Sequence, residues 1–204
     1  MCSGRETLLT IIRERAYLKC KSCTSIFVDP TDLYSHADEK ARYLEHNNDV
    51  FDEGYRNFVN PIINAVTNKF EPHHLGLDFG SGTGPVISQV LKEKGFSIEQ
   101  YDPFFQNNIS LLDKKYDYIV SCEVIEHFYN PLKEFDLLCE MLNRDGELIC
   151  MTHIYSEEIN FKKWYYKDDP THVFFYTQKA FEFIKSEFNL SELIIENRLV
   201  RFVK

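Results

Sequence analysis

The chain has 204 residues, of which 44% are apolar, so it is rich enough in apolar side chains to bury a core and is not globally disordered. Its 23 Lys and Arg residues face 32 Asp and Glu residues, which gives a formal net charge of −9. Nucleic-acid affinity depends on cationic side chains that release counterions from phosphates. A nucleic-acid partner is therefore not expected, although a net charge of this sign is compatible with a local basic patch.

The predicted location of the protein is the cytoplasm. No stretch approaches the ~20 continuous apolar residues that a membrane span needs, so no membrane association is expected. Charged residues at Arg5, Glu6 and 13–15 interrupt any signal-peptide core. Disulfides are rare in that compartment. Of the six cysteines, three lie in apolar runs and are predicted to be small core residues: Cys122, Cys139 and Cys150.

The first third of the chain is predicted to form irregular structure followed by helices. Helical character is predicted for 7–15 and a short hairpin for 16–28. A polar helix is predicted for 37–47, and apolar spacing predicts an amphipathic helix over 54–70. Pro61 lies inside that last segment, and we expect it to bend or divide the helix.

Strands and helices then alternate. A short apolar run predicts a strand at 75–79, and further strands are predicted at 96–102, 116–122 and 147–152. Helices are predicted at 85–94, 131–142 and 178–188, and a turn at 143–146. The segments 191–195 and 199–203 predict a terminal antiparallel hairpin. Such alternation is typical of an α/β fold with a parallel sheet covered on both faces, whose ligands bind beyond the carboxyl ends of the strands.

The strongest motif is Leu77-Asp-Phe-Gly-Ser-Gly-Thr-Gly-Pro85, a glycine loop between a strand and a helix. Glycine there permits a positive φ and a close approach of a ligand to the backbone. A tight turn without a ligand is the simpler interpretation. A second strand that ends at Asp102 argues for the ligand, because a carboxylate at that position accepts hydrogen bonds from ribose hydroxyls.

The spacing of the glycines bears on which nucleotide binds. Dinucleotide sites use G-x-G-x-x-G, whereas this loop is G-x-G-x-G and carries Asp78 two residues before Gly80. A carboxylate is awkward beside a pyrophosphate, and it suits a ligand with a cationic ammonium and a sulfonium. A nicotinamide-dependent oxidoreductase is therefore the less favoured alternative.

These residues resemble the first motif of the class I S-adenosylmethionine-dependent methyltransferases. That motif is an acidic residue followed by G-x-G-x-G. The resemblance extends over roughly residues 40–204. It implies a doubly wound, mostly parallel Rossmann-like sheet with helices on both faces and a C-terminal antiparallel hairpin. It also implies S-adenosylmethionine as the cofactor and an enzyme that transfers methyl groups.

The resemblance carries specific residues into the cofactor site. The Asp78 loop would hold the methionine end, Asp102 the ribose, and 122–124 the edge of the pocket. In the family the segment before the sheet covers the cofactor. The residues expected to bind cofactor are Tyr43, His46, Asp78, Phe79, Gly80, Ser81, Gly82, Gly84, Tyr101, Asp102, Pro103, Cys122, Glu123 and Val124.

The sequence resembles most closely a bacterial subgroup of the family that has no assigned substrate. It departs from the usual family pattern in one place. Only 13 residues separate Asp102 from Tyr116, so the third strand is expected to be short or missing. The adenine would then be flanked by other side chains near this segment, namely Phe104, Asn107, Leu111 or Leu112.

Methyl transfer needs a base only where the acceptor must first lose a proton. Three histidines follow predicted strands closely enough to serve: His127, His153 and His172. An unperturbed imidazole titrates near pH ~6.5, which suits a general base. His172 follows a proline-containing turn beside aromatic residues and is the predicted base, with closure of its loop by hydrogen bonding as the alternative. An aromatic-rich pocket favours a small-molecule acceptor.

Cys20 and Cys23 form a C-x2-C pair that resembles half of a zinc ribbon. A structural zinc site needs four ligands. Cys2 and a residue such as His36 would have to complete it, and the sequence favours an empty, reduced pair and no metal. We therefore expect an appendage over 1–36, a degenerate ribbon remnant, and a methyltransferase domain over 37–204. A catalytically inactive module that binds cofactor or a partner is the alternative to the enzyme.

Overall fold

A computed structural model of the protein describes residues 1–2, 4–45 and 49–204. Its ten strands are β1 (Glu6–Ile12), β2 (Arg15–Cys20), β3 (Ile26–Val28), β4 (Leu75–Phe79), β5 (Ser97–Tyr101), β6 (Tyr116–Cys122), β7 (Leu142–Met151), β8 (Phe174–Phe175), β9 (Glu192–Glu196) and β10 (Leu199–Val203). Its five α-helices are α1 (His36–Tyr43), α2 (Glu53–Lys69), α3 (Val86–Glu93), α4 (Pro131–Met141) and α5 (Gln178–Glu187).

The larger sheet has six strands in the order β5-β4-β6-β7-β10-β9. The first four strands of this order run parallel, and β10 pairs antiparallel with both β7 and β9. This is the predicted α/β fold with its terminal hairpin. β4 and β6 are neighbours in the sheet, but the chain continues from β4 to β5 on one side and from β6 to β7 on the other. The connections therefore separate at the carboxyl ends of β4 and β6 and leave a crevice there.

Side-chain caps fix where the helices begin. Asp52 Oδ1 accepts a hydrogen bond from the Tyr55 N–H at 2.6 Å, and Thr177 Oγ1 accepts one from the Ala180 N–H at 3.2 Å. Pro61 lies within α2, which continues through it as one helix instead of dividing. The apolar face of α2 is buried beside the sheet through Val59, Ile62, Ile63 and Val66.

As the short spacing between Asp102 and Tyr116 predicted, the described chain has no third strand between β5 and β6. The residues from 102 to 115 form a short 3-10 helix at Ile109–Asp113 and no strand that pairs with β5. β5 is consequently the edge of the sheet nearest the crevice. The prediction of a turn at 143–146 is corrected. These residues belong to β7, which begins at Leu142 and is irregular there, with Asp145 at φ 63°.

The helical prediction for 7–15 is wrong. Those residues form β1 and a two-residue turn, in which Arg13 and Glu14 have φ values of 49° and 68°. The predicted hairpin over 16–28 is present as β2 and β3. These strands form a second sheet with β8 in the order β1-β2-β3-β8.

The N-terminal sheet is joined to the rest of the fold. Ile26 pairs with Phe175, and Phe27 pairs with Phe174. Tyr17, which is buried, belongs to the same apolar cluster as residues of the larger sheet. The division at residue 36 stays a prediction. Among the described residues, the longest helices are too polar or too short to cross a lipid bilayer.

Candidate active site

A cleft of about 810 Å³ opens at the carboxyl ends of β4, β5 and β6. It collects side chains from segments as far apart in sequence as α1 and the β9–β10 turn. Most of the residues predicted for the site line it: Tyr43, Phe79, Gly80, Ser81, Gly82, Tyr101, Asp102, Pro103, Cys122, Glu123, Val124 and His172.

Two predicted residues do not line the cleft. Asp78 is buried behind the glycine loop, where its Oδ2 accepts a hydrogen bond from Ser88 Oγ at 2.8 Å. Burial raises the pKa of this carboxyl to about 6. Gly84 is absent from the lining, and His46 lies outside the described residues. Of the residues predicted to flank an adenine, only Phe104 lines the cleft.

The glycine loop has two positions that require glycine for different reasons. Gly80 has φ +80°, and a Cβ there would lie 2.5 Å from a methyl carbon of Val124. Gly82 has φ +64°, and a Cβ there would meet nothing within 4 Å. Gly80 thus lets two strand ends approach each other, whereas Gly82 presents bare backbone to open space in the cleft.

Asp102 organises the loops on both sides of its own strand end. Its Oδ2 accepts the Gly82 N–H at 2.9 Å, and its Oδ1 accepts the N–H groups of Phe104 and Phe105 at 2.8 and 3.0 Å. The carboxylate is buried and lines the cleft. Since a carboxylate offers about four acceptor positions, it retains capacity for hydroxyl donors.

Aromatic rings form the walls around this end of the cleft. Phe79 and Tyr101 stack with ring centroids 5.4 Å apart. Tyr43, on α1, meets the rings of Phe104 and His127 edge-on at 5.4 and 5.3 Å. Its hydroxyl donates to Glu39 Oε1 at 2.7 Å. α1 is thus held over the cleft by both apolar and polar contacts.

Two histidines that line the cleft, His127 and His172, lie together next to Tyr43. Their ring centroids are 4.8 Å apart. His172 Nδ1 is 2.6 Å from the Tyr166 carbonyl oxygen, and His127 Nδ1 is 2.9 Å from that of Thr171. A carbonyl oxygen only accepts, so Nδ1 carries the proton in each ring and the lone pair of the neutral form is on Nε2.

A buried acid lies next to these rings. Glu126 is fully buried, and its Oε1 is 4.0 Å from His172 Nε2. Thr152 Oγ1 donates to its Oε2 at 3.0 Å, and the Tyr166 hydroxyl donates to its Oε1. Burial, with the nearby Glu123 carboxylate, raises the pKa of Glu126 to about 8.

The third predicted histidine is held in a neutral state. His153 lines the cleft, and its Nε2 is 2.5 Å from the Tyr165 hydroxyl. Burial and the charge of Arg198 lower its pKa to about 4. His153 is therefore uncharged at neutral pH and acts there as a hydrogen-bonding group.

Two arginines that line the cleft were not predicted. Arg198, in the β9–β10 turn, donates from Nη2 to Glu123 Oε1 at 2.5 Å. Arg42, on α1, donates from Nη2 to Asp169 Oδ2 at 2.8 Å. Both pairs connect segments that are distant in sequence, so no local pattern announces them. Glu123 itself has φ 52°, which is uncommon for a residue with a side chain.

Solved structures share this fold. Phosphoethanolamine N-methyltransferase 2 from Haemonchus contortus, crystallised with phosphomonomethylethanolamine and S-adenosylhomocysteine, has a TM-score of 0.51 and 16% identity over 69% of this chain. The chain spans 38% of the length of that protein. A SAM-dependent methyltransferase from Archaeoglobus fulgidus has a TM-score of 0.55 and 19% identity, with 69% of this chain and 72% of that one covered.

Magnesium protoporphyrin IX methyltransferase from Synechocystis PCC 6803, with bound S-adenosylhomocysteine, has a TM-score of 0.55 and 16% identity, with 83% of this chain and 94% of that one covered. A search of curated protein sequences found no match. The chain thus has the fold of S-adenosylmethionine-dependent methyltransferases. A family model described as a methyltransferase domain matches residues 27–192, more than half of the chain. The chain belongs to this methyltransferase family, as the sequence predicted.

Proposed function

We propose that this protein transfers the methyl group of S-adenosylmethionine to a small-molecule acceptor bound in the same cleft. The observation that carries the proposal is the junction of the glycine loop with Asp102 at the edge of that cleft. This junction combines open backbone at Gly82 with a buried carboxylate. Membership in the methyltransferase family supports the same reaction.

The residues present fit the cofactor. Ser81 Oγ is buried at the cleft and has no hydrogen-bond partner within the described chain, as expected of a group that awaits a ligand. Asp102 would hold the ribose hydroxyls, and Phe79 and Tyr101 would contact the apolar faces of the ligand. When bound, S-adenosylmethionine supplies the methyl group and a neutral sulfur leaving group.

His172 would hold or accept the acceptor's proton at Nε2. The Tyr166 carbonyl fixes the ring with its proton on Nδ1, so the lone pair of Nε2 has a defined direction. His127 lies beside it with the same proton placement. The remaining task of the cleft is to hold the nucleophile in line with the methyl carbon and to exclude water.

The size of the cleft and the net charge of the chain support a small acceptor. A volume of about 810 Å³ is within the usual range of ~300–1,000 Å³ for small-molecule sites. The net charge of −9 disfavours a polynucleotide. The Haemonchus neighbour, whose structure holds phosphomonomethylethanolamine, illustrates a small acceptor on this fold.

Two measurements test the proposal. Calorimetric titration with S-adenosylmethionine, S-adenosylhomocysteine and NAD tests the cofactor, and we expect binding of the first two only. Incubation with cell metabolites and isotope-labelled S-adenosylmethionine, followed by mass spectrometry, tests the reaction. Binding of NAD alone would favour the oxidoreductase. Tight binding of S-adenosylmethionine with no labelled product in any extract would favour a binding module instead of an enzyme.

A further inference from the structure

Three cysteine thiols that do not line the cleft meet beside the N-terminal sheet. The Sγ atoms of Cys2, Cys20 and Cys23 all lie within 4.8 Å of one another, and the Cys2 and Cys20 sulfurs are 3.2 Å apart. Cys20 and Cys23 are buried, and Cys2 is partly buried. The sequence offered Cys2 as a residue that could complete the C-x2-C pair, and the fold brings its thiol to that position.

We propose that Cys2, Cys20 and Cys23 bind Zn²⁺ as three thiolate ligands. With zinc–sulfur bonds of about 2.3 Å, the sulfurs of a tetrahedral site are ~3.8 Å apart. The Cys2–Cys20 separation is 3.2 Å and no separation exceeds 4.8 Å, so the thiols need only small shifts to become ligands. A disulfide would use two of these thiols and leave the third buried beside it.

Space for a fourth ligand adjoins the thiols. All three cysteines line a cavity of about 230 Å³, together with Gly4 and Glu6 from the start of the chain. This volume is ample for a water molecule, which would complete the four ligands that a tetrahedral zinc ion requires beside the three thiolates. His36, the residue that the sequence offered as a fourth ligand, instead lines the cofactor cleft.

The backbone around the thiols is shaped to receive them. The Ser22 N–H points to Cys20 Sγ at 3.4 Å, a hydrogen bond that stabilises a sulfur carrying negative charge. Gly4 passes so close that a Cβ there would lie 2.6 Å from Cys20 Sγ. A residue larger than glycine would therefore push against the sulfur that has to face the metal.

The bound metal would have a structural role. Thr177 Oγ1, which caps α5, donates to the Cys23 carbonyl oxygen at 2.5 Å. β3 follows Cys23 and pairs with β8. Zinc at the thiols would thus tie the start of the chain to the turn that connects β2 with β3, and would stabilise the join between the two sheets.

The test uses the full chain with its purification tag at the C-terminus, since Cys2 is next to the first residue. Protein stripped with a chelator in the presence of a reductant is titrated with Co²⁺ and then with Zn²⁺. We expect stoichiometric Co²⁺ binding, a near-ultraviolet thiolate-to-cobalt charge-transfer band and its loss when zinc displaces cobalt. Because zinc binds the folded state, it should also raise the melting temperature of the protein.

Single variants test which of the thiols bind the metal. Cys2→Ser removes a partly exposed thiol, so the variant should fold, and it should lose about one third of the charge-transfer intensity, in proportion to its thiolates, or all of it if the site no longer closes. Cys23→Ser should abolish the zinc-dependent rise in melting temperature. Cys139→Ala removes a buried thiol on α4 that does not belong to the cluster, and this control should bind metal as the wild type does.

Folded wild-type protein with no stoichiometric cobalt or zinc binding would overturn the proposal. So would metal binding that Cys2→Ser and Cys23→Ser leave unchanged, or a Cys2–Cys20 disulfide in protein purified with zinc and reductant. These results do not depend on S-adenosylmethionine, so the zinc site can fail while the proposed function stands.

Discussion

The Asp102 carboxylate accepts a hydrogen bond from the Gly82 N–H at 2.9 Å and thereby joins the end of β5 to the glycine loop after β4. The same carboxylate accepts two further backbone N–H groups, at Phe104 and Phe105. One side chain therefore sets the shape of two loops that border the cleft. A change at this residue alters both the ligand contacts and the loops that hold them.

Asp102→Ala should weaken S-adenosylmethionine binding by at least about ten-fold, because the loss of ~1.4 kcal/mol of hydrogen bonding corresponds to that factor. Isothermal titration calorimetry gives the affinity, and circular dichroism gives the fold. Glu99→Gln, on the same strand but outside the cleft lining, is the control. An affinity equal to wild type in folded Asp102→Ala protein would remove Asp102 from the site.

Gly82→Ala should separate backbone strain from ligand contact. Alanine at φ +64° costs ~1–2 kcal/mol in the folded state, and its Cβ projects into the open space of the cleft. Gly95, with φ +86° and equally open surroundings outside the cleft, provides a control with the same strain. We expect similar losses of thermal stability in Gly82→Ala and Gly95→Ala, but weaker cofactor binding only in the first. Equal cofactor affinity in the two variants would contradict this.

His172→Asn should lower kcat by roughly 10²–10⁴-fold and leave cofactor affinity unchanged, provided that the acceptor has to lose a proton. The asparagine amide retains a donor for the Tyr166 carbonyl, while the Nε2 base is lost. Turnover is measured with the acceptor found by mass spectrometry, over a range of pH. The variant should lose the pH dependence that a proton-accepting base confers on the rate of the wild type. His73→Gln, an exposed change, is the control.

Glu126→Gln should remove a pH dependence of stability. The folded-state pKa of Glu126 is raised to about 8 from an ordinary value of 4.5, so the folded protein binds the proton more tightly than the unfolded chain does. Its stabilising contribution is complete below about pH 4.5 and is lost as the pH rises through about 8. Melting temperatures of wild type and variant should therefore diverge with rising pH, in favour of the variant.

Melting curves between about pH 5 and pH 9 check this sign. The exposed Glu182→Gln change on α5 serves as the control. A variant whose melting temperature follows that of wild type in parallel across this range would show that the Glu126 carboxyl titrates near its ordinary pKa.

Much of the fold was predictable because its central strands carry strong local signals. β4 and β6 are short, largely apolar segments, whereas β5 is mixed in polarity and is marked by the aspartate that follows it. The glycine loop and Asp102 follow from the same strand ends. The site residues on these strands were therefore accessible from sequence, because neighbouring parallel strands bring their carboxyl ends to one edge of a sheet.

The N-terminal strand was not predictable for a local reason. Residues 7–12 form an apolar run whose periodicity does not distinguish a strand from a helix. The turn that follows uses Arg13 and Glu14 at positive φ, although such two-residue hairpins usually use asparagine or glycine. With no turn signal between them, β1 and β2 could not be recognised as a pair.

The unpredicted part of the site depends on long-range contacts. Arg198 reaches Glu123 across 75 positions of sequence, and Arg42 reaches Asp169 across 127. Each arginine lies in a segment whose sequence is typical of an ordinary polar surface. Only the closure of the tertiary structure shows that these charges face the cleft. Cys2, in contrast, was offered by the sequence as a possible third thiol, and it reaches Cys20 because β1 lies against β2.

The Arg42–Asp169 ion pair should affect the rates at which ligands bind and dissociate. It fastens α1 to the loop before β8 through side chains that are 33% and 16% exposed, so dissolved ions have partial access to it. Screening by salt weakens such charge pairs. The residence time of a molecule beneath α1 should therefore shorten as ionic strength increases, even where its equilibrium contacts with the strand ends are unchanged.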